Sequence, residues 1–181
     1  MRRCGERLAR WPGLAGAPVY SSTLPRARES AAIIAALLGA APVEEHCGLC
    51  SYHVLDEHDG RPHEEARATA GRGGGLALFR PEHPGGDTWS ALAMRASAAF
   101  HEIADRHHGS TIVIATHNET IQASLFGLGY LPFRNRLGVA AANGSITEWA
   151  TDDDTTAGGP SDGWTFAEWN LVRWNDTGHL E

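Results

Sequence analysis

Hydrophobic positions along the chain fall into short continuous runs that alternate with helical repeats. Residues 17–21 and 110–116 are continuous apolar and β-branched runs, which is the pattern of strands buried on both faces. Directly after each run, apolar residues recur at spacings of three and four, over 24–38 and 118–127, and this spacing predicts two helices. Another helix is predicted over 87–108. The chain is therefore predicted to alternate strand and helix.

The last quarter of the chain changes to strand patterns, over 137–142, 145–150 and 168–174. Asn143-Gly144 is a hairpin signal between the first two. Loops are predicted over 71–86 and 151–163. The pattern as a whole predicts one domain over residues 1–181, an α/β/α sandwich of three layers. Its mixed sheet should be mostly parallel, with the ligand at the carboxyl ends of the strands.

Composition narrows the choice of function. The chain has 181 residues and a formal net charge of −7, and its only basic clusters are Arg2-Arg3 and the Arg134/Arg136 pair, so we expect no nucleic-acid partner. All 15 basic residues are Arg, which excludes a Schiff-base lysine and a P-loop. No run is long enough for a membrane span or a signal peptide, and three cysteines make no disulfide framework. A cytoplasmic protein is expected.

Two strand-to-helix turns carry the chemistry, residues 21–28 and 116–120. Each combines the free backbone amides of a helix start with a cationic or protonatable side chain, Arg26 in the first and His117 in the second. One guanidinium can bind two phosphate oxygens at once. We therefore expect a phosphate site built from Arg26 and His117, with Ser22 and Asn118 beside them.

The order of these segments resembles the histidine phosphatase superfamily, also called phosphoglycerate mutase-like proteins. Residues 19–31 (VYSSTLPRARESA) resemble its motif SS-x-L-x-R-A-x-x-T-A, and residues 112–121 (IVIATHNETI) resemble its segment V-x-V-S-H-G-x-x-I. Residues 84–88 (PGGDT) stand where the family has P-G-G-E-S, and the NGSIT and WNDTGHL segments near the end match the family's ending. The resemblance covers nearly the whole chain.

The resemblance implies a phosphomonoester hydrolase that acts on a small phosphorylated metabolite through a phosphohistidine, without metal or organic cofactor. Arg26 would be the family's second phosphate-binding Arg and His117 its second His. The nucleophilic His belongs to an N-terminal R-H-G motif, and no R-H-G occurs in this sequence. Residues 4–9 (CGERLA) resemble a helix that follows that motif in the family, so the first strand is expected to be missing.

Two explanations account for the missing motif, an incomplete N-terminus, which we favour, and a natural loss of the nucleophile. Loss of a central strand would expose unpaired edges. An in-frame R-H-G upstream of Met1 would support the enzyme. The alternatives are an inactive pseudophosphatase that binds phosphate or another anion, and a phosphotransferase of the phosphoglycerate mutase type. The chain as given is expected to be inactive, with His117 strengthening phosphate binding below about pH 6.5.

The proton donor is a second departure from the family pattern. The resemblance places the donor Glu in L-x-E after the second strand, where residues 49–51 read LCS, so Ser51 stands in its place. A Ser hydroxyl cannot protonate a leaving alkoxide usefully near neutral pH. Glu119, two residues after His117, resembles the donor of some acid-phosphatase branches, although a first-turn Glu is also favoured by the helix dipole alone. Glu57 is a weaker candidate.

Cysteine and histidine cluster over residues 46–53 (HCGLCSYH) at a spacing known from zinc sites. On a predicted strand, these side chains would point to alternating faces. Ordinary core cysteines are therefore expected, and no metal site.

Overall fold

The computed structural model describes residues 1–54, 78–81, 85–131, 139–151 and 169–181. Several sequence predictions fall outside these ranges: most of the loop over 71–86, the loop beyond Thr151, the donor candidate Glu57, and the basic pair Arg134 and Arg136.

Three parallel strands form the central sheet of the described structure. They are β1 (Val19–Ser21), β2 (Glu44–Glu45) and β3 (Val113–Ala115), in the order β2-β1-β3. Both neighbours of β1 run parallel to it. The parallel sheet predicted from the β-branched runs is confirmed.

In the described residues, four helices accompany the sheet: α1 (Arg2–Leu8), α2 (Pro25–Leu38), α3 (Trp89–Arg106) and α4 (Asn118–Gly127). Helix α2 ends at Gly39, whose φ of 64° lies in the left-handed region that glycine adopts without strain. Helix α3 begins at Thr88, whose Oγ1 accepts a hydrogen bond from the Ala91 N–H at 3.0 Å. None of the helices in the described ranges is long and apolar enough to cross a membrane.

The core is divided between the two faces of the sheet. Val19 packs with the buried sides of α1 and α2, whereas Tyr20 packs with those of α3 and α4. Successive strand residues point to opposite faces, so β1 supplies side chains to both clusters. Helices therefore cover the sheet on both sides, and the predicted α/β/α layers are confirmed.

The C-terminal strands pair with each other. Strands β4 (Ile146–Thr151) and β5 (Trp169–Asp176) form an antiparallel sheet of two strands with bulges between Ile146 and Trp149. Both match strands that the sequence predicts. Arg7 of α1 contacts Asp176 at 2.5 Å, which ties the end of β5 to the α1 side of the molecule.

The strand predicted over 137–142 is wrong for its described part, which has no regular structure. The backbone N–H groups of residues 141 and 142 donate to the side-chain Oδ1 atoms of Asn118 and Asn175, both at 2.7 Å. Because side chains accept these hydrogen bonds, the segment lies along the end of α4 without a partner strand.

Candidate functional site

The two strand-to-helix turns begin side by side. Strand register pairs Ser21 with Ala115, and the Ser22 N–H donates to the Ala115 carbonyl at 3.2 Å. Helices α2 and α4 start within a few residues of this point. Parallel pairing thus brings together two segments that are more than ninety residues apart in the sequence.

Ser22 and His117 meet where the two turns join. Ser22 Oγ lies 2.7 Å from His117 Nε2, and the tautomer of the imidazole decides which of them donates. Ser22 Oγ also accepts from the Leu24 N–H at 3.3 Å. Both side chains are buried, so the imidazole is held in one position at the carboxyl end of the sheet.

The imidazole of His117 is neutral over most of the pH range. Burial and, to a lesser degree, the positive charge of Arg26 together lower the pKa of His117 to about 4, although the carboxylate of Glu119 acts in the opposite direction. The expectation that His117 becomes cationic below about pH 6.5 is therefore wrong for the free protein. A sequence shows neither the burial of a side chain nor the charge that faces it.

Arg26 lies in the first turn of α2, with an exposed side chain. Within the described ranges it has no ion pair, whereas Arg28 pairs with Glu45 at 2.8 Å. The first turns of α2 and α4 carry no side-chain cap in this part of the structure. An anion would thus meet an uncompensated guanidinium and two helix starts.

Glu119 lies in the first turn of α4, half-buried, and its carboxylate faces the turn after β2. Ser51 Oγ donates a hydrogen bond to Glu119 Oε2 at 3.1 Å. The resemblance places the donor acid at position 51, and the side chain at this position contacts the carboxylate of Glu119.

Asn118 has a structural task as well as a place at the site. Its Oδ1 accepts from the backbone N–H of Ala141 at 2.7 Å and from Gln122 Nε2 at 3.1 Å. These two bonds fix the amide orientation. Phosphate binding by Asn118, which stays a prediction, would use its backbone N–H or Nδ2.

Arg95 of α3 supports the segment over residues 47–51, which ends at Ser51. The sequence analysis does not identify this arginine. Its Nη1 donates to the carbonyls of Cys47, Gly48 and Cys50, each at 3.2 Å, and its Nη2 donates to the Ser51 carbonyl at 3.0 Å. A lone Arg in an amphipathic helix is usually solvated, so no sequence signal distinguishes it.

The segment expected to be a strand is instead a 3-10 turn over Cys47–Leu49. Gly48 makes this close approach possible, because a Cβ there would lie 2.6 Å from Ala99 Cβ of α3. On the other side of the turn, Cys50 Sγ lies 3.1 Å from Oγ1 of Thr23, in the loop that carries Ser22. Cys47 and Cys50 therefore do not point to opposite faces, as a strand would require, and their Sγ atoms lie within 4.8 Å of each other.

Comparison with known families gives one match over most of the chain. The family described as histidine phosphatase superfamily (branch 1) matches residues 1–158. A curated relative, phosphoglycerate mutase-like protein 4 of Arabidopsis thaliana, is 33% identical over 126 residues, which are 67% of this chain and 54% of that protein. The chain thus spans about half the length of this relative.

Solved structures share the fold over almost the whole chain. Bacillus stearothermophilus YhfR matches with a TM-score of 0.74 at 23% identity, over 99% of this chain and 84% of that one. Mycobacterial glucosyl-3-phosphoglycerate phosphatase in complex with inorganic phosphate gives 0.70 at 23% identity, over 99% and 87%. Phosphoserine phosphatase of Entamoeba histolytica in complex with 3-phosphoglyceric acid gives 0.65 at 18% identity, over 99% and 84%.

Proposed function

Because this chain belongs to the histidine phosphatase superfamily, branch 1, we propose that Ser22, Arg26 and His117 hold the phosphoryl group of a small phosphorylated metabolite. The observation that carries the proposal is the buried Ser22–His117 hydrogen bond beside the charge of Arg26. Two proteins that share the fold are phosphatases, one in complex with inorganic phosphate and the other with 3-phosphoglyceric acid. Hydrolysis of a phosphomonoester is the reaction class that fits this pocket best.

The roles follow from charge and burial. Arg26 binds phosphoryl oxygens through its planar fork, and its charge is independent of pH. His117 donates a hydrogen bond to a third oxygen, and the dianion raises the pKa of the imidazole because an opposite charge favours the protonated form. Binding a phosphoryl group would therefore reverse the effect that Arg26 exerts on His117 in the free protein.

Glu119 is proposed as the proton donor to the leaving alkoxide. Its contact with Ser51 puts a carboxylate against the position that holds the acid in the family pattern. Although the two residues are 68 positions apart in the sequence, their side chains are in contact. A carboxylate at position 119 therefore lies close to the leaving group that an acid at position 51 would protonate.

The nucleophile separates two forms of this proposal. These 181 residues contain no R-H-G, so the phosphohistidine of the family cannot form on a His of that motif within this chain. A pseudophosphatase that binds a phosphorylated ligand without turnover is the second candidate. Both candidates use the same phosphate site.

A phosphate titration followed by NMR tests the shared site. We expect the amide signals of residues around Ser22, Arg26 and His117 to shift with millimolar affinity, which corresponds to about 4 kcal/mol. Arg26→Ala should weaken binding at least roughly tenfold, since a charge-assisted hydrogen bond contributes about 1.5 kcal/mol or more. Arg28→Ala is the matched control, because it removes an equal charge from the same helix. Equal phosphate affinity in wild type and Arg26→Ala would overturn the proposal.

A further inference from the structure

Cys47, Cys50 and His53 gather at the outer side of the 3-10 turn. Their ligand atoms, two Sγ and one imidazole nitrogen, all lie within 4.8 Å of one another. Cys47 Sγ is 3.4 Å from His53 Nε2. Cys47 and His53 are exposed while Cys50 is buried. The group therefore contacts the core through Cys50 and is open to solvent on one side.

The turn beneath this group is fixed before any ligand arrives. Arg95 donates to four carbonyls between residues 47 and 51. From the other side, the hydroxyls of Thr116 and Thr120 donate to the carbonyls of Leu49 at 2.6 Å and Cys50 at 3.1 Å. A turn held on both sides keeps the two thiols on one face.

A carboxylate lies behind the ring of His53, just beyond hydrogen-bond distance. Its Nε2 faces Cys47 Sγ, while its Nδ1 lies 3.7 Å from Asp87 Oδ2. The same carboxylate oxygen accepts from the His53 N–H at 3.0 Å and from Arg95 Nη2 at 2.8 Å. Metal-binding histidines commonly have such a carboxylate at the ring nitrogen that does not face the metal.

We propose that Cys47 Sγ, Cys50 Sγ and His53 Nε2 bind a zinc ion, with water as the fourth ligand on the solvent side. Two thiolates and an imidazole are ligands that zinc prefers, and the set excludes the hard cations that prefer oxygen. This site is separate from the proposed phosphate site and needs none of its residues.

The distance between Cys47 Sγ and His53 Nε2 is close to that of tetrahedral zinc coordination. With Zn–S bonds of about 2.3 Å and Zn–N bonds of about 2.1 Å, a sulfur and a nitrogen ligand lie about 3.6 Å apart and two sulfurs about 3.8 Å apart. The observed 3.4 Å between Cys47 Sγ and His53 Nε2 is slightly shorter than the expected sulfur–nitrogen distance. A small rotation of either side chain removes this difference. Binding would replace the two thiol protons by metal–sulfur bonds and release the protons to solvent.

Cobalt is the probe, with the thiols kept reduced and the full chain in solution. We expect one Co²⁺ per chain, a thiolate-to-cobalt charge-transfer band and the intense visible bands of tetrahedral Co²⁺, all lost when one equivalent of Zn²⁺ is added. Binding without a charge-transfer band would overturn the proposal. The cobalt titration is carried out without phosphate, so a failure here and a failure of the proposed function are distinguishable.

Variants assign the ligands. Cys47→Ser and His53→Gln change exposed side chains, so both variants should fold, and each should weaken Co²⁺ binding about 100-fold or more, since even residues behind the ligands contribute 10- to 100-fold. Asp87→Asn should weaken it about tenfold. The controls are Cys4→Ala for the third cysteine and His108→Gln for an exposed histidine elsewhere. Wild-type affinity in Cys47→Ser or His53→Gln, or a loss as large in either control, would overturn the assignment.

Discussion

The Ser51 hydroxyl donates to the carboxylate of Glu119, so a side chain at position 51 and a carboxylate of α4 occupy neighbouring space. The resemblance to the family places an acid at position 51, and this chain has one at 119. Two carboxylates at this distance repel each other unless one is protonated. In this chain only position 119 has a carboxyl group, so the repulsion does not arise.

Restoring an acid at position 51 should expose this conflict. We expect Ser51→Glu to be less stable than Ser51→Gln, which has the same shape and no charge, by about 1 to 2 kcal/mol at pH 7 after solvent screening. Repulsion raises the carboxyl pKa values in the folded state, so the difference is present at neutral pH. It disappears below about pH 4, where the unfolded carboxyls are protonated too. Urea unfolding at both pH values measures it, and an equal difference at pH 7 and pH 4 would contradict the argument.

Buried His117 should make the protein sensitive to mild acid. Its folded pKa of about 4 lies below the unfolded value of about 6.5, so the unfolded chain binds the proton first. The stability that the neutral imidazole contributes is complete above pH 6.5 and is lost as the pH falls toward 4. Between pH 7 and 4.5 the loss is about 2 to 3 kcal/mol.

Comparison with His117→Asn isolates this contribution. The variant lacks the titrating group, so its free energy of unfolding should fall less steeply over the same pH range, while the exposed control His108→Gln should follow the wild type. Parallel curves for wild type and His117→Asn would show that His117 titrates normally in the folded protein.

Removal of the Arg95 guanidinium should loosen the turn that it holds. Arg95→Met removes the guanidinium that donates to four carbonyls and pairs with Asp87, and we expect a loss of about 2 to 4 kcal/mol of unfolding free energy. Arg2→Met is the control, since Arg2 is largely exposed and pairs with Glu6 one turn away. Thermal or urea unfolding measures both variants, and similar small losses would mean that the carbonyl contacts contribute little.

This chain of 181 residues should not turn over p-nitrophenyl phosphate at an enzymatic rate. Removal of a covalent nucleophile lowers the rate on the order of a millionfold in a well-studied hydrolase. A purified preparation that shows ordinary turnover, with the activity abolished by His117→Ala, would demonstrate a nucleophile other than the R-H-G histidine.

Sequence pattern alone predicted the layered fold because β1, β3 and the helices that follow them have strong local signals, whereas the short β2 has none. Helix α4 begins and ends at the predicted residues 118 and 127, and α2 ends at Gly39 as expected. The strand at 137–142 was predicted wrongly, because its described part hydrogen-bonds to two distant Asn side chains and no local pattern reports such partners.

At the site, residue types were predictable and their surroundings were not. Arg26 and His117 follow from the strand-to-helix turns, whereas the low pKa of His117 depends on burial that only packing creates. The turn at Cys47–Leu49 was read as a strand because Arg95, which supports it, is almost fifty residues away. Long-range hydrogen bonds override local preference in both cases.

The contact between Thr23 Oγ1 and Cys50 Sγ links the two proposed sites through a single sulfur atom. A zinc ion bound by Cys50 Sγ would change the hydrogen bond between this sulfur and Thr23, in the loop that carries Ser22. Zinc binding would therefore alter the proposed phosphate site. Thermodynamic reciprocity then fixes their relation. Whatever factor zinc applies to the affinity for phosphate, phosphate must apply to the affinity for zinc.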